Sequence, residues 1–240
     1  MSMLNRCFSA LWALLYPPSC AVCGEPLTEG EQTLCTLCRV TAPLTGFWRE
    51  YANPVYDKLA AFVPIERASA MLYFVRGSGW QRLIHRFKYY DRWRLALQMG
   101  RWYGSLLRES GLYDDIDGIV ALPLHPLKRM LRGYNQAEYL AEGIAASLGV
   151  PLVRGLLRRI RYTASQARKP RRERAANVEG AFALTDAARC AGRHLLVVDD
   201  VLTTGSTLIA AIEAIQHAAP SCRVSVAVLA ASRKELGIDG

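Results

Sequence analysis

The sequence predicts an α/β protein with a doubly wound, mostly parallel sheet and a small N-terminal cysteine module. Short apolar runs alternate with helix-length segments, and one apolar run ends in carboxylates and hydroxyls that open into a helix. Two Cys-x-x-Cys sequences stand near the start. A chain of 240 residues with 51% hydrophobic content can bury one sizeable core and carry an accessory module. We expect the module in residues 1–48 and the sheet domain in residues 49–240.

The alternation of elements can be followed along the chain by its apolar spacing. Helix-breaking residues mark several boundaries, and Gly149 is expected to end one helix. The predicted elements are, in order, a hairpin of 59–65 and 68–75, a helix from Trp80, a helix over 93–107, a strand at 116–122, a loop at 123–133, a helix up to 148, a strand at 194–198, a helix at 206–218 and a strand at 224–230.

Four of the seven cysteines form a pattern typical of a zinc site, Cys20-x-x-Cys23 and Cys35-x-x-Cys38. Each pair can direct two thiolates at one metal ion, and two pairs complete a tetrahedral four-sulfur site that suits structural Zn²⁺. The alternative is two disulfides, which require an oxidising compartment. Since the sequence lacks a convincing export signal, we predict a zinc ribbon. The remaining cysteines are expected to be buried thiols: Cys7, Cys190 and Cys222.

The first residues favour a short amphipathic helix over a membrane anchor. The longest apolar run, 10–16, is well below the roughly 18 residues that a membrane-spanning helix needs. Arg6 followed by apolar residues imitates a signal peptide, but Pro17 and Pro18 follow without a small-x-small cleavage site. We therefore expect a retained N-terminal helix, no membrane span and a cytoplasmic protein.

Basic residues concentrate in two segments of a chain whose formal net charge is +9. Residues 154–174 hold nine lysines or arginines against the single acid Glu173, a composition that attracts polyanions, although most such arginines are solvated charge. Residues 76–108 interleave eight basic residues with aromatic ones, as single-stranded nucleic acid binding needs. Helical spacing favours Trp80 and Phe87 as core residues instead.

The run 197–207 has the composition of a phosphate site. An apolar strand ends in Asp199 and Asp200, and a hydroxyl-rich turn opens directly into a helix. A phosphate at this turn would meet backbone N–H groups, the positive end of the helix dipole and several hydroxyls. Because the carboxylates repel phosphate, we expect them to face sugar hydroxyls or Mg²⁺. An acidic N-cap before an unrelated helix is the alternative, but capping accounts for only one such side chain. The turn consists of Thr203, Thr204, Gly205, Ser206 and Thr207.

This run, Val-Val-Asp-Asp-Val-Leu-Thr-Thr-Gly-Ser-Thr, resembles the phosphoribosyl-diphosphate (PRPP) binding motif of type I phosphoribosyltransferases. The resemblance implies that residues 203–207 hold the 5-phosphate of PRPP. It also implies that Asp199 and Asp200 are the catalytic carboxylates, that they contact the ribose hydroxyls, and that Mg²⁺ binds together with PRPP.

Two further blocks and several single residues add to this pattern. They are Pro123-Leu124-His125-Pro126, Arg132-Gly133-Tyr134-Asn135-Gln136, Gln166, Arg174, Asn177 and Phe182. Together with the zinc module they resemble the ComF family, competence-associated proteins with a zinc module ahead of a phosphoribosyltransferase domain. The resemblance implies that the loop 122–132 lies near the pyrophosphate and that 163–177 is a mobile flap over it. The cations expected to bind PRPP there are His125, Arg132, Lys169 and Arg174, although a turn residue without chemistry is an open alternative for His125.

Three functions are compatible with these features. The first is transfer of phosphoribosyl from PRPP to an acceptor that the sequence does not identify. The second is a non-catalytic PRPP sensor that holds single-stranded DNA on its basic faces. The third is an adaptor whose zinc module docks a competence helicase. We favour the transferase, in which the protein positions reactants and stabilises separating charge. A role in DNA uptake is implied only by the family resemblance, and the oligomeric state stays open.

Overall fold

The computed structural model describes residues 18–87, 92–160 and 180–238. The predicted N-terminal helix, Cys7 and the predicted flap 163–177 lie outside these ranges. Within them, every helix is too short or too polar to cross a lipid bilayer.

The described strands form a central parallel sheet and a separate antiparallel hairpin. The sheet has the order β1-β6-β5-β2, and the hairpin pairs β3 with β4. Residues 151–153 extend the sheet beyond β2, because Val153 N donates to Ile119 O at 2.7 Å. The strands are β1 Ala68–Tyr73, β2 Gly118–Ala121, β3 Leu157–Arg159, β4 Phe182–Leu184, β5 His194–Leu202 and β6 Arg223–Ala231.

The helices cover both faces of the sheet and confirm the predicted doubly wound α/β class. Gln136–Leu148 ends at Gly149, as predicted, and Ser206–Ala218 has the predicted bounds. The helices are α1 Thr36–Val40, α2 Pro54–Ala60, α3 Gly79–Arg86, α4 Trp93–Ser110, α5 Pro126–Arg132, α6 Gln136–Leu148, α7 Ser206–Ala218 and α8 Arg233–Leu236, with 3₁₀ turns at Phe47–Arg49 and Ala187–Arg189.

The side chains of β5 alternate between two apolar layers, as expected for a strand covered on both faces. Leu195 and Val197 pack into the layer that contains α2, α7 and the hairpin. Leu196 and Val198 pack into the layer that contains α3, α4, α6 and the cysteine module. The central strand is therefore buried on both sides, which holds its carboxyl-terminal end rigidly in place.

Close packing of α4 against α6 depends on two glycines. A Cβ atom on Gly100 would lie 2.2 Å from the backbone oxygen of Leu140, and one on Gly143 would lie 2.2 Å from that of Leu97. Such distances are far below van der Waals contact, so only glycine allows the two backbones to approach this closely. The contact fixes α6, whose first residues reach the candidate site.

Three sequence predictions differ from the structure. The hairpin prediction is wrong, because Leu59 belongs to α2, whose start is set by the side chain of Asn53 and by Pro54. The loop 123–133 contains α5, which His125 caps through Nδ1. Strand β5 continues past residue 198 to Leu202, because Asp199 and the next residues still pair with β6.

Trp80 and Phe87 are only 7% and 1% exposed, which confirms the prediction that they are core residues. Cys190 and Cys222 are also buried, as predicted, and burial raises the pKa of both thiols.

Candidate functional site

The two predicted carboxylates lie at the carboxyl-terminal end of β5. Asp200 is 8% exposed, and its Oδ1 accepts a hydrogen bond from Val201 N at 2.8 Å. Asp199 is half-buried, and its Oδ1 accepts from Asp200 N at 2.8 Å. β2 pairs with β5 only as far as Val198, so the two acids lie beyond the end of that strand pairing. After β2 the chain adds residues 151–153 on one side of β2, and it later forms β5 on the other side. Open α/β sheets bind ligands at such a reversal of strand order.

The predicted phosphate turn directly follows these acids. Gly205 has φ +86° and precedes α7, whose start has no side-chain capping hydrogen bond. The first N–H groups of α7 therefore lack the partner that a capping side chain usually supplies, and they combine with the positive end of the helix dipole. The hydroxyls of Thr204 and Ser206 lie 3.1 Å apart beside them. This arrangement has the donors that a phosphate group requires.

The loop between β2 and α6 is tied to the acidic pair. Gln136 is 4% exposed, and its Nε2 donates to Oδ2 of Asp200 at 3.1 Å. Arg132 Nη1 donates to Oε1 of the same glutamine at 3.2 Å. Asn135, 1% exposed, donates through Nδ2 to the backbone oxygen of Leu122 at 3.0 Å. The structure thus brings Arg132 and Asp200 into one hydrogen-bonded chain, joined by a side chain for which the sequence suggested no role.

A cavity of about 660 Å³ opens on the other side of this loop. Residues from β2, the loop 123–126, α5 and the segment 152–160 form its walls, whereas the residues of the phosphate turn do not line it. The titratable side chains that line it are His125, Arg129, Arg154, Arg158, Arg159 and the single acid Glu138. Arg129 pairs with Glu138 at 3.2 Å, and Arg154 pairs with Glu142 at 2.7 Å. The cavity is therefore predominantly cationic and adjoins the loop that carries His125.

Arg159 lies in the wall of this cavity. Its guanidinium lies 5.4 Å from the ring centre of Phe182 across the β3–β4 hairpin. Burial lowers the pKa of this guanidinium, and the negative charge of Asp199 opposes that effect. Arg159 is half-buried, and the sequence analysis did not single it out because it stands within a long basic run.

The four predicted zinc ligands converge. The Sγ atoms of Cys20, Cys23, Cys35 and Cys38 all lie within 4.8 Å of one another. Two sulfurs bound to a tetrahedral zinc at roughly 2.3 Å should be about 3.8 Å apart. Sγ of Cys23 and Sγ of Cys35 are 3.8 Å apart, so these residues fit a zinc ion.

The electrostatics of this cluster single out Cys20 as its readiest thiolate, because burial and the neighbouring thiols raise the pKa of Cys38 and the pKa of Cys23 is also raised. Burial opposes ionisation of Cys20, but backbone N–H donors of Cys23, Cys35 and Val22 outweigh it and lower the pKa of Cys20 to about 6. A thiolate is the form of cysteine that binds zinc. The site is closed by four sulfurs, so zinc there would stabilise the fold of the module.

The cysteine module packs directly against the sheet domain. A Cβ atom on Gly79, at the start of α3, would lie 2.4 Å from the backbone oxygen of Val22. Arg86 donates to the backbone oxygen of Ala21 at 3.3 Å, and Arg39 lies 5.4 Å from the ring centre of Trp102. The two parts therefore share an interface built around the first Cys-x-x-Cys turn.

Several predicted site residues cannot be placed. Lys169 and Arg174, predicted to bind PRPP, lie outside the described residues, as do Gln166 and Asn177. The predictions for these four side chains stay open. Phe182, the last residue of the quoted pattern, lies in β4 and is 5% exposed.

Two family models match this chain, one for each of its two parts. The family model of the phosphoribosyl transferase domain matches residues 135–237, and the model of the double zinc ribbon domain matches residues 11–47. A solved structure of a glutamine PRPP amidotransferase from B. subtilis, complexed with ADP and GMP, superimposes with a TM-score of 0.41 at 18% identity. That match covers 60% of this chain and 30% of the other.

Curated relatives cover more of the chain. Competence protein F of Haemophilus influenzae is 29% identical over 130 residues, which are 52% of this chain and 57% of the relative. DNA utilization protein YhgH of Salmonella typhimurium is 28% identical over 204 residues, 81% of this chain and 89% of the relative. YhgH of Escherichia coli K12 is 29% identical over 207 residues with the same coverage. The chain is therefore homologous to Competence protein F and YhgH, and it combines a double zinc ribbon with a phosphoribosyl transferase domain.

Proposed function

We propose that the chain binds PRPP together with Mg²⁺ and transfers the phosphoribosyl group to an acceptor. One observation carries the proposal: Asp199 and Asp200 lie near the carboxyl end of β5, a few residues before the uncapped start of α7, at the reversal of strand order. The site thus combines donors for a phosphate with acceptors for hydroxyls. A simple helix cap does not need the second acid.

Different residues would bind different parts of PRPP. The N–H groups and hydroxyls of residues 203–207 would bind the 5-phosphate. The carboxylates of Asp199 and Asp200 would accept hydrogen bonds from the ribose hydroxyls, and their oxygens suit Mg²⁺, which in proteins is commonly held by one or two carboxylates, waters and substrate phosphates. In the transfer, the bond from C1 to pyrophosphate breaks with its electron pair on the pyrophosphate, and the acceptor forms a new bond to C1.

The cationic side of the site supports binding of the leaving group. Arg132 is held beside the acidic pair, and His125 caps α5 at the wall of a cavity with four arginines. Fixed positive charges near departing pyrophosphate stabilise the charge that develops there. Lys169 and Arg174 are proposed to join this group.

The biological role is proposed from the printed names of the relatives, which refer to competence and DNA utilization. We place the activity in the cytoplasm, where PRPP is a metabolite of nucleotide synthesis. A non-catalytic PRPP sensor that binds single-stranded DNA is the second candidate. It requires the same PRPP site, but it lacks turnover and holds DNA on the basic faces of the protein.

A pyrophosphate-release assay with PRPP, Mg²⁺ and a panel of bases and single-stranded DNA tests the proposal. Wild-type protein should release pyrophosphate with at least one acceptor, and the double variant Asp199→Asn, Asp200→Asn should lose PRPP binding in calorimetry. Gln98→Met, on the surface of α4 away from the site, is the matched control. PRPP binding without turnover across the panel would support the sensor, and unchanged affinity in the double variant would refute the site.

A further inference from the structure

Gln136 occupies a buried position between a cation and a carboxylate. It is the first residue of α6 and is 4% exposed. Its Oε1 accepts from Arg132 Nη1 at 3.2 Å, and its Nε2 donates to Asp200 Oδ2 at 3.1 Å. Both ends of one amide therefore connect the loop after β2 to the end of β5, although Gln136 and Asp200 are 64 residues apart in the chain.

The partners determine which way the amide points. A guanidinium has only N–H donors, so the group that faces Arg132 must be the amide oxygen. The NH₂ group then faces Asp200 and requires an acceptor, which an ionised carboxylate supplies. Reversing the amide would place NH₂ against Arg132 and an oxygen against the carboxylate, losing both hydrogen bonds. The pair of contacts thus selects one orientation of Gln136.

The start of α6 is held so that Gln136 cannot move away. Asn135 Nδ2 donates to the backbone oxygen of Leu122, and Asn135 Oδ1 accepts from Ala137 N at 3.1 Å. The hydroxyl of Tyr134 donates to the backbone oxygen of Phe87 at the end of α3. Three consecutive side chains therefore anchor this turn to three different elements, which makes Gln136 a rigid support.

We propose that Gln136 is a positioning residue that couples Arg132 to Asp200, so that the pyrophosphate end and the ribose end of PRPP are bound cooperatively. The inference rests on the proposed PRPP site. With Oδ1 held by Val201 N and Oδ2 held by Gln136, the Asp200 carboxylate has a fixed plane, and its remaining lone pairs point in fixed directions. Arg132 contacts Gln136 through Nη1, so the amide fixes the position of this guanidinium relative to Asp200.

Two substitutions at this position separate hydrogen bonding from packing. Gln136→Met keeps the length of the side chain but cannot donate, and we expect PRPP to bind about 10- to 100-fold more weakly, as for loss of a hydrogen bond to a charged group. Gln136→Glu places a carboxylate against Asp200 at neutral pH. Its affinity should fall at least as far there and recover partly near pH 5, where a protonated glutamate can donate again. Gln98→Met, which removes an exposed Gln98–Gln32 contact, should leave PRPP affinity unchanged.

A double-mutant cycle with Arg132→Met tests the coupling itself. If Gln136 links the two groups, the double variant should lose less affinity than the product of the single losses. A pH-independent Gln136→Glu variant, wild-type affinity in Gln136→Met or multiplicative losses in the cycle would each overturn the proposal.

A measurement without ligand separates this inference from the proposed function. The side-chain amide signals of Gln136 in a ¹⁵N-correlated NMR spectrum should shift in Arg132→Met, because Oε1 loses its donor, while those of Gln98 stay in place. Unshifted Gln136 signals would overturn the proposed coupling through Gln136 even if PRPP binds. Wild-type protein that fails to bind PRPP while the signals shift would instead refute the proposed function and leave the link between Arg132 and Gln136 standing.

Discussion

Nδ1 of His194 lies 3.1 Å from Oδ2 of Asp115, at the amino-terminal edge of the sheet and thus opposite the PRPP motif. The other ring nitrogen, Nε2, lies 2.8 Å from Oγ of Ser225. This order of side chains occurs in hydrolases, but His194 and Ser225 are both 0% exposed, so no substrate can reach the hydroxyl. The contacts instead hold the starts of three neighbouring segments together. Arg67 and Arg223 also pair with Asp115, at 2.6 Å and 3.1 Å.

This buried imidazole predicts a pH-dependent stability. Burial lowers the pKa of His194 from its ordinary value of 6.5, and Asp115 only partly opposes the effect. As the pH falls below about 6.5, the unfolded chain takes up a proton that folded His194 does not. The free energy of unfolding should therefore decrease toward acid, by at most about 1.4 kcal/mol per pH unit. The Arg67 guanidinium lowers the pKa of Asp115. Protonation of Asp115 therefore reduces the free energy of unfolding only below its ordinary pKa of 3.8.

Urea unfolding between about pH 7.5 and 5 measures this dependence, and His194→Gln is the comparison because its amide does not titrate. The wild-type protein should lose stability over this interval more steeply than the variant. Parallel curves would mean that another group is responsible for the loss.

The cysteine cluster predicts one zinc ion per chain. Cys20→Ser should abolish zinc binding and unfold the N-terminal module while sparing the main sheet, because the module has little apolar core of its own. Elemental analysis measures the metal content, and tryptophan fluorescence, to which Trp80 at the start of α3 contributes, reports on loss of the module's packing. Cys190→Ala is the control, since that buried thiol lies outside the cluster and should leave zinc bound. A metal-free protein with both Cys-x-x-Cys pairs oxidised would contradict the assignment.

Gly205 should tolerate no side chain. At φ +86° a Cβ is strained by about 1–3 kcal/mol, and it would lie only 3.1 Å from Cδ2 of Leu59. Gly192→Ala is a matched control, because φ is +70° there and nothing lies within 4 Å of the added carbon. Both variants should unfold at lower urea concentration, but only Gly205→Ala should also weaken PRPP binding, since it shifts the start of α7. Equal PRPP affinity in the two variants would remove this glycine from the site.

Local signals made much of this site predictable, and long-range pairing made the rest unpredictable. The bounds of α7 follow from hydroxyls and a glycine before an apolar helix, all within a few residues. The start of α2 was predictable from Asn53 and Pro54, but the apolar residues after them were interpreted as a strand. The contact of Gln136 with Asp200 depends instead on β2 pairing beside β5, where Val120 aligns with Val197. No local pattern contains that register.

The salt dependence of DNA binding separates the enzyme from the sensor. If basic faces hold a single strand, log affinity should fall with log salt by about 0.7 per phosphate contacted. Alanine at Arg168, Lys169, Arg171 and Arg172 should reduce that slope, whereas a flap that only covers PRPP would leave the slope unchanged and weaken PRPP binding instead.

Substitution of Trp93 tests whether base stacking contributes to single-stranded DNA binding. Its ring lies 5.2 Å from the ring of Tyr139, and Arg94 lies 5.1 Å from its centre, so the exposed part of this indole stands beside a cation. If a base stacks on it, Trp93→Ala should weaken single-strand binding at every salt concentration, by roughly 1–3 kcal/mol, without changing the slope. Trp93→Phe should retain most of the affinity because an aromatic face remains, and thermal unfolding checks that both variants fold. A shallow slope that none of these substitutions alters, together with measurable pyrophosphate release, would exclude the DNA-binding sensor and favour the transferase.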